Sequence, residues 1–148
     1  MTGFDYFTKC LYEYANFEGR ASRSEYWYFI LFQTLFVVAL SVLGGILGGF
    51  VGVFSMMAIW YLATMIPTLA VGARRLHDMG QSAWFLLLSL VPLGNMALVV
   101  MYCLESEPGT NKWGPNPNEY YEQWFDDDEV LEDRHYQRQS RYRDDDYV

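Results

Sequence analysis

Charged side chains disappear from two stretches of this chain. Residues 26–73 and residues 79–104 contain no Asp, Glu, Lys or Arg, giving uncharged runs of 48 and 26 residues. A helix rising 1.5 Å per residue needs roughly 20 apolar residues to cross a bilayer. The first run therefore accommodates two crossings and a tight turn, and the second accommodates one. Surface helices of water-soluble domains show polar residues every few positions along one face, whereas residues 31–40 and 51–71 are apolar almost all round. Five glycines, Gly44, Gly45, Gly48, Gly49 and Gly52, interrupt the first run. Each lowers helix propensity by about 1 kcal/mol relative to alanine, so together they predict the turn. They also form small-xxx-small pairs (Gly44/Gly48, Gly45/Gly49, Gly48/Gly52), a spacing that lets membrane helices approach closely.

The second run is broken at Val91-Pro92-Leu93-Gly94-Asn95, where Pro92 lacks a backbone donor. A single kinked crossing sends the C-terminal part to the far side of the membrane, and a re-entrant hairpin returns it. Two full crossings do not fit in 26 residues. The expected fold class is all-α, an integral membrane helical bundle of three transmembrane helices with the third kinked or re-entrant at Pro92.

Ahead of the first run, Phe4, Phe7, Leu11 and Tyr14 recur at helical spacing, and Asp5, Lys9 and Glu13 fall i, i+4 apart on another face. This predicts an amphipathic helix, lying along the membrane surface or packed against the bundle end, with its charges paired locally. Asn16 and Gly19 stop it, and Ser22-Arg23-Ser24-Glu25 reads as a capping box opening the first span. The segment before that span has acids and aromatics where a secretory signal has a basic start and a short apolar core, so the first span is expected to be an uncleaved anchor. Lys9, Arg20 and Arg23 precede the first span, and Arg74 and Arg75 follow the second. A two-span hairpin puts both groups on one side, which the positive-inside rule makes cytoplasmic, together with the N-terminus. Tyr26, Trp27, Tyr28, Trp84 and Phe85 suit an aromatic belt at that interface.

Charge then divides the chain. The 148 residues carry a formal net charge of -8. Residues 1–104 hold five bases and five acids, so the excess of acid belongs to the last 44 residues. Three parts are expected: an interfacial helix and cap over 1–25, a transmembrane domain with its closing loop over 26–117, and an acidic extramembrane tail over 118–148. In the tail, Asn116-Pro117-Asn118-Glu119 reads as the start of a short helix through Tyr120, Tyr121, Trp124 and Phe125, followed by solvated disorder that offers a docking peptide to a partner. Its abundant acids oppose binding to nucleic acid.

Between the second and third spans runs Arg74-Arg75-Leu76-His77-Asp78-Met79-Gly80-Gln81-Ser82. Arg74 and Asp78 are placed for an i, i+4 ion pair, Gly80 for a left-handed helix end and Ser82 for capping the next helix. Two arginines, a histidine and a helix N-terminus also suit an anion, and phospholipid head groups are the anions at hand. His77 and Asp78, as sequence neighbours on a helix, do not face one another as an acid–base pair would. Cys10, His77, Cys103 and His135 show no metal-ligand spacing, and no nucleotide or nucleophile-elbow motif occurs, so no cofactor, metal or catalytic residue is assigned.

Three of these segments carry a family resemblance. Asn16-Phe17-Glu18-Gly19-Arg20-Ala21-Ser22-Arg23-Ser24-Glu25-Tyr26-Trp27, the Arg74–Ser82 segment and Pro108-Gly109-Thr110-Asn111-Lys112-Trp113-Gly114-Pro115-Asn116-Pro117 resemble, in order, the motifs of the bacterial inner-membrane family called domain of unknown function 805. Ala83 stands where the family usually has Gly, and the spacer before Asn111 is short. The resemblance spans roughly residues 4–117. It implies a small integral protein of the bacterial inner membrane and no assigned activity.

The functional expectation is a structural or interaction component, with a homo-oligomer or another membrane protein as partner, that binds anionic phospholipid at its cytoplasmic face. Arg20, Arg23, Arg74, Arg75, His77 and Ser82 are the lipid or anion candidates, and Ser22, Glu25 and Asp78 complete a structural polar cluster. The alternatives are a small transporter or channel subunit, with Thr34, Ser41, Thr64 and Ser89 lining an oligomeric pore, and an enzyme acting on lipid head groups. Against transport, neither uncharged run holds an ionisable group of the kind that ion pathways need.

Overall fold

The computed structural model of the protein describes residues 2–119. The acidic tail expected over 118–148 lies outside the described residues except for its first two positions. In chain order the elements are α1 (Gly3–Tyr12), α2 (Arg23–Asp78), a 3-10 helix (Ala83–Leu90) and α3 (Gly94–Cys103). Among the described residues no strand forms, so the architecture is all-helical.

Helix α1 opens with the Thr2 N–H donating to Asp5 Oδ2 at 2.6 Å. Its apolar face is packed on the bundle, with Phe7 and Cys10 buried. The Phe7 ring lies 5.7 Å from that of Phe29 and 5.6 Å from that of Phe36, and Tyr6 stacks on Tyr28 at 5.8 Å. Tyr12 is almost fully exposed, while Phe4, partly exposed, sets its ring edge-on to that of Phe32 at 5.6 Å.

Helix α2 is 56 residues long and contains two residues with non-helical backbone, Gly48 and Gly49. Gly49 takes φ +56°, a left-handed conformation open to glycine at little cost. The chain reverses there, and residues 23–47 and 50–78 run back along each other. Phe36 stacks on Trp60 at 5.1 Å. Between the two arms the Gln33 amide donates to Thr64 Oγ1 and accepts from Thr68 Oγ1, both at 3.1 Å. The hairpin and its glycine turn thus follow the sequence pattern, but the intimate glycine pair is not one of the i, i+4 pairs. It is Gly44 against Gly52, where a Cβ on Gly52 would sit 2.1 Å from the Gly44 carbonyl oxygen. Beyond the reach of α1 and α3, the turn half of the hairpin is bare. Ile46, Leu47, Phe50 and Val51 are all strongly exposed.

One irregularity inside α2 has a specific remedy. Pro67 has no N–H, so the Ala63 carbonyl loses its helical donor. The Tyr14 hydroxyl, arriving from the segment after α1, donates to that carbonyl at 2.7 Å. Backbone groups away from water need a partner of this kind.

The third run is folded back on itself. The 3-10 helix advances about 16 Å over eight residues and α3 about 15 Å over ten, each near half of a roughly 30 Å hydrocarbon core. Between them Leu93 takes φ +66°, and a Cβ on Gly94 would stand only 1.8 Å from the Leu88 carbonyl oxygen. The bend satisfies its own backbone, with Val91 N–H donating to Leu88 O at 3.0 Å and Gly94 N–H to Val91 O at 2.9 Å. Both ends of the run return to the same place, where Glu107 N–H donates to Asp78 O at 2.9 Å. The run is therefore bent back on itself near Pro92 and is not one continuous helix. Among the described residues α2 alone is long and apolar enough to cross a membrane. Leu98 and Tyr102 pack the folded run onto Leu76 and Tyr26 of α2, with the Tyr26 and Tyr102 rings 4.3 Å apart.

The Tyr14–Pro67 arrangement predicts a conditional effect. Tyr14→Phe is expected to cost about 1 kcal/mol, since it strands an acceptor. In a Pro67→Ala background, which restores the helical donor, the same change is expected to cost much less. Reversible unfolding of the four proteins in mixed micelles measures that coupling.

Candidate functional site

At the end of the hairpin opposite the glycine turn, charged residues from α1, the segment after it and both ends of α2 meet in a buried cluster. Asp78, the last residue of α2, is fully buried. Its carboxylate accepts from Arg20 Nε at 2.9 Å, from the Arg75 guanidinium and from the Ser106 hydroxyl. Glu25, in the first turn of α2, is equally buried. It accepts from Lys9 of α1 at 2.7 Å and pairs with Arg74 at 2.8 Å. Arg74 also pairs with Glu13.

Carbonyl groups at helix ends complete the site. The last carbonyls of a helix have no intrahelical donor and carry the negative end of its dipole. Arg75 Nε donates to Tyr102 O at 3.2 Å, and its terminal nitrogen donates to Leu104 O, so one guanidinium closes the C-terminus of α3. Arg20 closes α2 through Asp78 O at 3.2 Å and binds the loop beyond α3 through Glu107 O, Gly109 O and Gly114 O. The planar fork of arginine supplies five donors, which is why this chemistry needs Arg and not Lys. Asn111 adds an amide donor to the His77 carbonyl at 2.9 Å.

The local signals read from the sequence hold. Ser22 Oγ accepts from Glu25 N–H at 3.2 Å, Gly80 is left-handed at φ +73°, and Ser82 Oγ accepts from Trp84 N–H at 3.4 Å. Several pairings differ. Arg74 does not pair with Asp78, because Arg75 and Arg20 occupy that carboxylate. Lys9 and Glu13 do not simply pair along α1 but reach across to Glu25 and Arg74. The Glu25 side chain serves Lys9 and Arg74 in place of closing the capping box. Of the lipid candidates, Arg20, Arg74 and Arg75 are buried with these partners. His77 stacks flat on Trp113 at 4.3 Å, and among the described residues its Nδ1 has no hydrogen-bond partner. Arg23 stands at the rim with its side chain 46% exposed, 3.6 Å from an 87% exposed Glu105. His77 and Asp78 face different partners, so no acid–base pair forms between them. Among the described residues no group of His, Cys, Asp and Glu is arranged to hold a metal.

Most of the residues that build this cluster fall within the part of the chain that matches known proteins. A family described as a protein of unknown function, DUF805, matches residues 14–115. The chain belongs to that family. The match covers Arg20, Glu25, Arg74, Arg75 and Asp78 and starts after Lys9 and Glu13. The chain is 40% identical over 118 residues to inner membrane protein YhaH of Escherichia coli K12, covering 76% of this chain and 96% of that protein. It is 38% identical over 113 residues to inner membrane protein YhaI of the same strain, covering 76% and 94%. No solved structure matches. With its long apolar hairpin and these relatives, this family member is an inner-membrane protein.

Cys10 reports on the cluster from within. Its thiol faces Glu25 Oε1 at 3.7 Å, and burial, followed by the Glu25 charge, pushes it up to about 12. A raised thiol pKa favours the folded state below the ordinary value of 9.0, and that contribution is lost as pH rises towards 12. In the folded protein at pH 8, maleimide is expected to label exposed Cys103 and leave Cys10 unmodified, with both labelled after unfolding in SDS. Intact-mass spectrometry counts the adducts.

Proposed function

We propose that this family member is a structural or interaction component of the bacterial inner membrane, built from a two-crossing hairpin and a re-entrant third segment. Its N-terminus, ion-pair cluster and acidic tail lie on the cytoplasmic side, where rim cations contact anionic phospholipid. One observation carries the reading. Each arginine of the cluster is paired internally, with Glu13, Glu25, Asp78 or helix-end carbonyls. A site that turns over an anionic head group needs cations free to receive it, and these serve to hold segments together. Lipid contact then falls to exposed Arg23 and Lys112 at the rim.

The transport reading has less support. Thr34, Ser41 and Thr64 return their hydroxyls to the carbonyls of Ile30, Val37 and Trp60 one turn back in their own helix. Such bonds satisfy the hydroxyls without lining a path.

Topology is the test. A fluorescent protein fused after Val148 is expected to fluoresce in cells, and alkaline phosphatase fused at the same point is expected to be inactive. An active phosphatase and a dark fluorescent protein would place the tail outside and require a third crossing.

A further inference from the structure

On the exposed side of the first α2 arm, Arg23, Ser24, Trp27, Tyr28 and Leu31 line a groove of about 320 Å³. The five residues form two i, i+4 rows, so the groove runs along the helix for about 12 Å from Arg23 to Leu31. Its chemistry changes over that length. A guanidinium and a hydroxyl mark one end, at the helix N-terminus with its partial positive charge. Two aromatic rings of the kind that settle at head-group depth follow, and Leu31 closes the apolar end, half exposed like the rings.

Arg23 is the arginine of this face that the cluster does not bury. Its ion pair with Glu105 is long, at 3.6 Å, and Glu105 is 87% exposed. An exposed pair of this kind contributes little and yields readily to another anion. We infer that the groove is a binding site for one anionic phospholipid, with its phosphate on Arg23 and Ser24 and the upper part of an acyl chain against Trp27, Tyr28 and Leu31. The polar-to-apolar gradient selects an amphiphile over a free phosphate, and the single exposed cation selects an anionic lipid over a zwitterionic one. This rests on the proposed lipid contact at the charged face and names its site. It also moves that site away from Arg74 and Arg75, which the sequence pattern favoured.

Native mass spectrometry of the full-length protein in mild detergent tests the assignment, with dioleoyl phosphatidylglycerol, dioleoyl phosphatidylcholine and glycerol 3-phosphate as probes. The unaltered protein is expected to retain phosphatidylglycerol in preference to phosphatidylcholine and to show no glycerol 3-phosphate adduct. Arg23→Gln removes a charge-assisted contact and is expected to weaken phosphatidylglycerol retention about tenfold. Arg23 lies outside the buried cluster, so the variant is expected to unfold at the same temperature as the unaltered protein. Lys112→Gln, at the rim but outside the groove, is expected to weaken retention less than Arg23→Gln does. Loss of retention in Lys112→Gln but not in Arg23→Gln would overturn this site while leaving lipid contact at the charged face in place. No preference for phosphatidylglycerol in the unaltered protein would overturn both, and an equal glycerol 3-phosphate adduct would overturn the acyl-chain part.

Discussion

The Asp78 carboxylate is the point on which the arrangement turns. A charge withdrawn from water is tolerated only when it is matched at close range. Asp78 is matched by Arg20 from the segment before α2, by Arg75 from its own helix and by Ser106 from beyond α3. Satisfying one buried acid thus fixes three stretches of chain that lie far apart in sequence. Glu25 repeats the logic with Lys9 of α1 and Arg74. A buried pair adds little net stability, yet removing one partner typically costs about 3–5 kcal/mol. The cluster therefore acts as a specifier of arrangement, one that is assembled whole or lost.

The same demand for partners shapes the backbone. In an apolar medium a stranded carbonyl is expensive, and only structures that close their own hydrogen bonds persist. Arg75 closes the end of α3, Arg20 closes the end of α2, and Tyr14 closes the gap that Pro67 opens. The bend near Pro92 closes itself through Val91 and Gly94. The result is a molecule of two halves. Its charged end is dense with cross-links, and its glycine end is two bare helical arms whose side chains meet the surrounding apolar phase.

Local features were legible in the sequence because each depends on a few neighbouring residues. The paired uncharged stretches, the glycine turn, the Ser22 and Ser82 caps and the left-handed Gly80 all belong to this class. The gathering of arginines at one end was legible too, since a hairpin leaves no other place for them. Partner choice was not. Lys9 and Glu13 satisfy an i, i+4 rule perfectly well, and nothing local says that Glu25 and Arg74 claim them. The third run was ambiguous for a related reason. Its 26 uncharged residues suit one crossing, and the fold-back is held by Arg75 and Arg20, which bind carbonyls at and beyond the end of α3. The arginines also looked available to an external anion because sequence displays charge and hides burial.

The cluster holds both ends of the third run at one end of the hairpin. Spin labels at exposed Gln81 and Glu105, in a protein with Cys103→Ser and reconstituted in liposomes, measure it by double electron–electron resonance. A single narrow distance of about 20 Å or less is expected, well below the roughly 30 Å of a hydrocarbon core. A distribution centred beyond that thickness would show the run crossing the membrane and would contradict it.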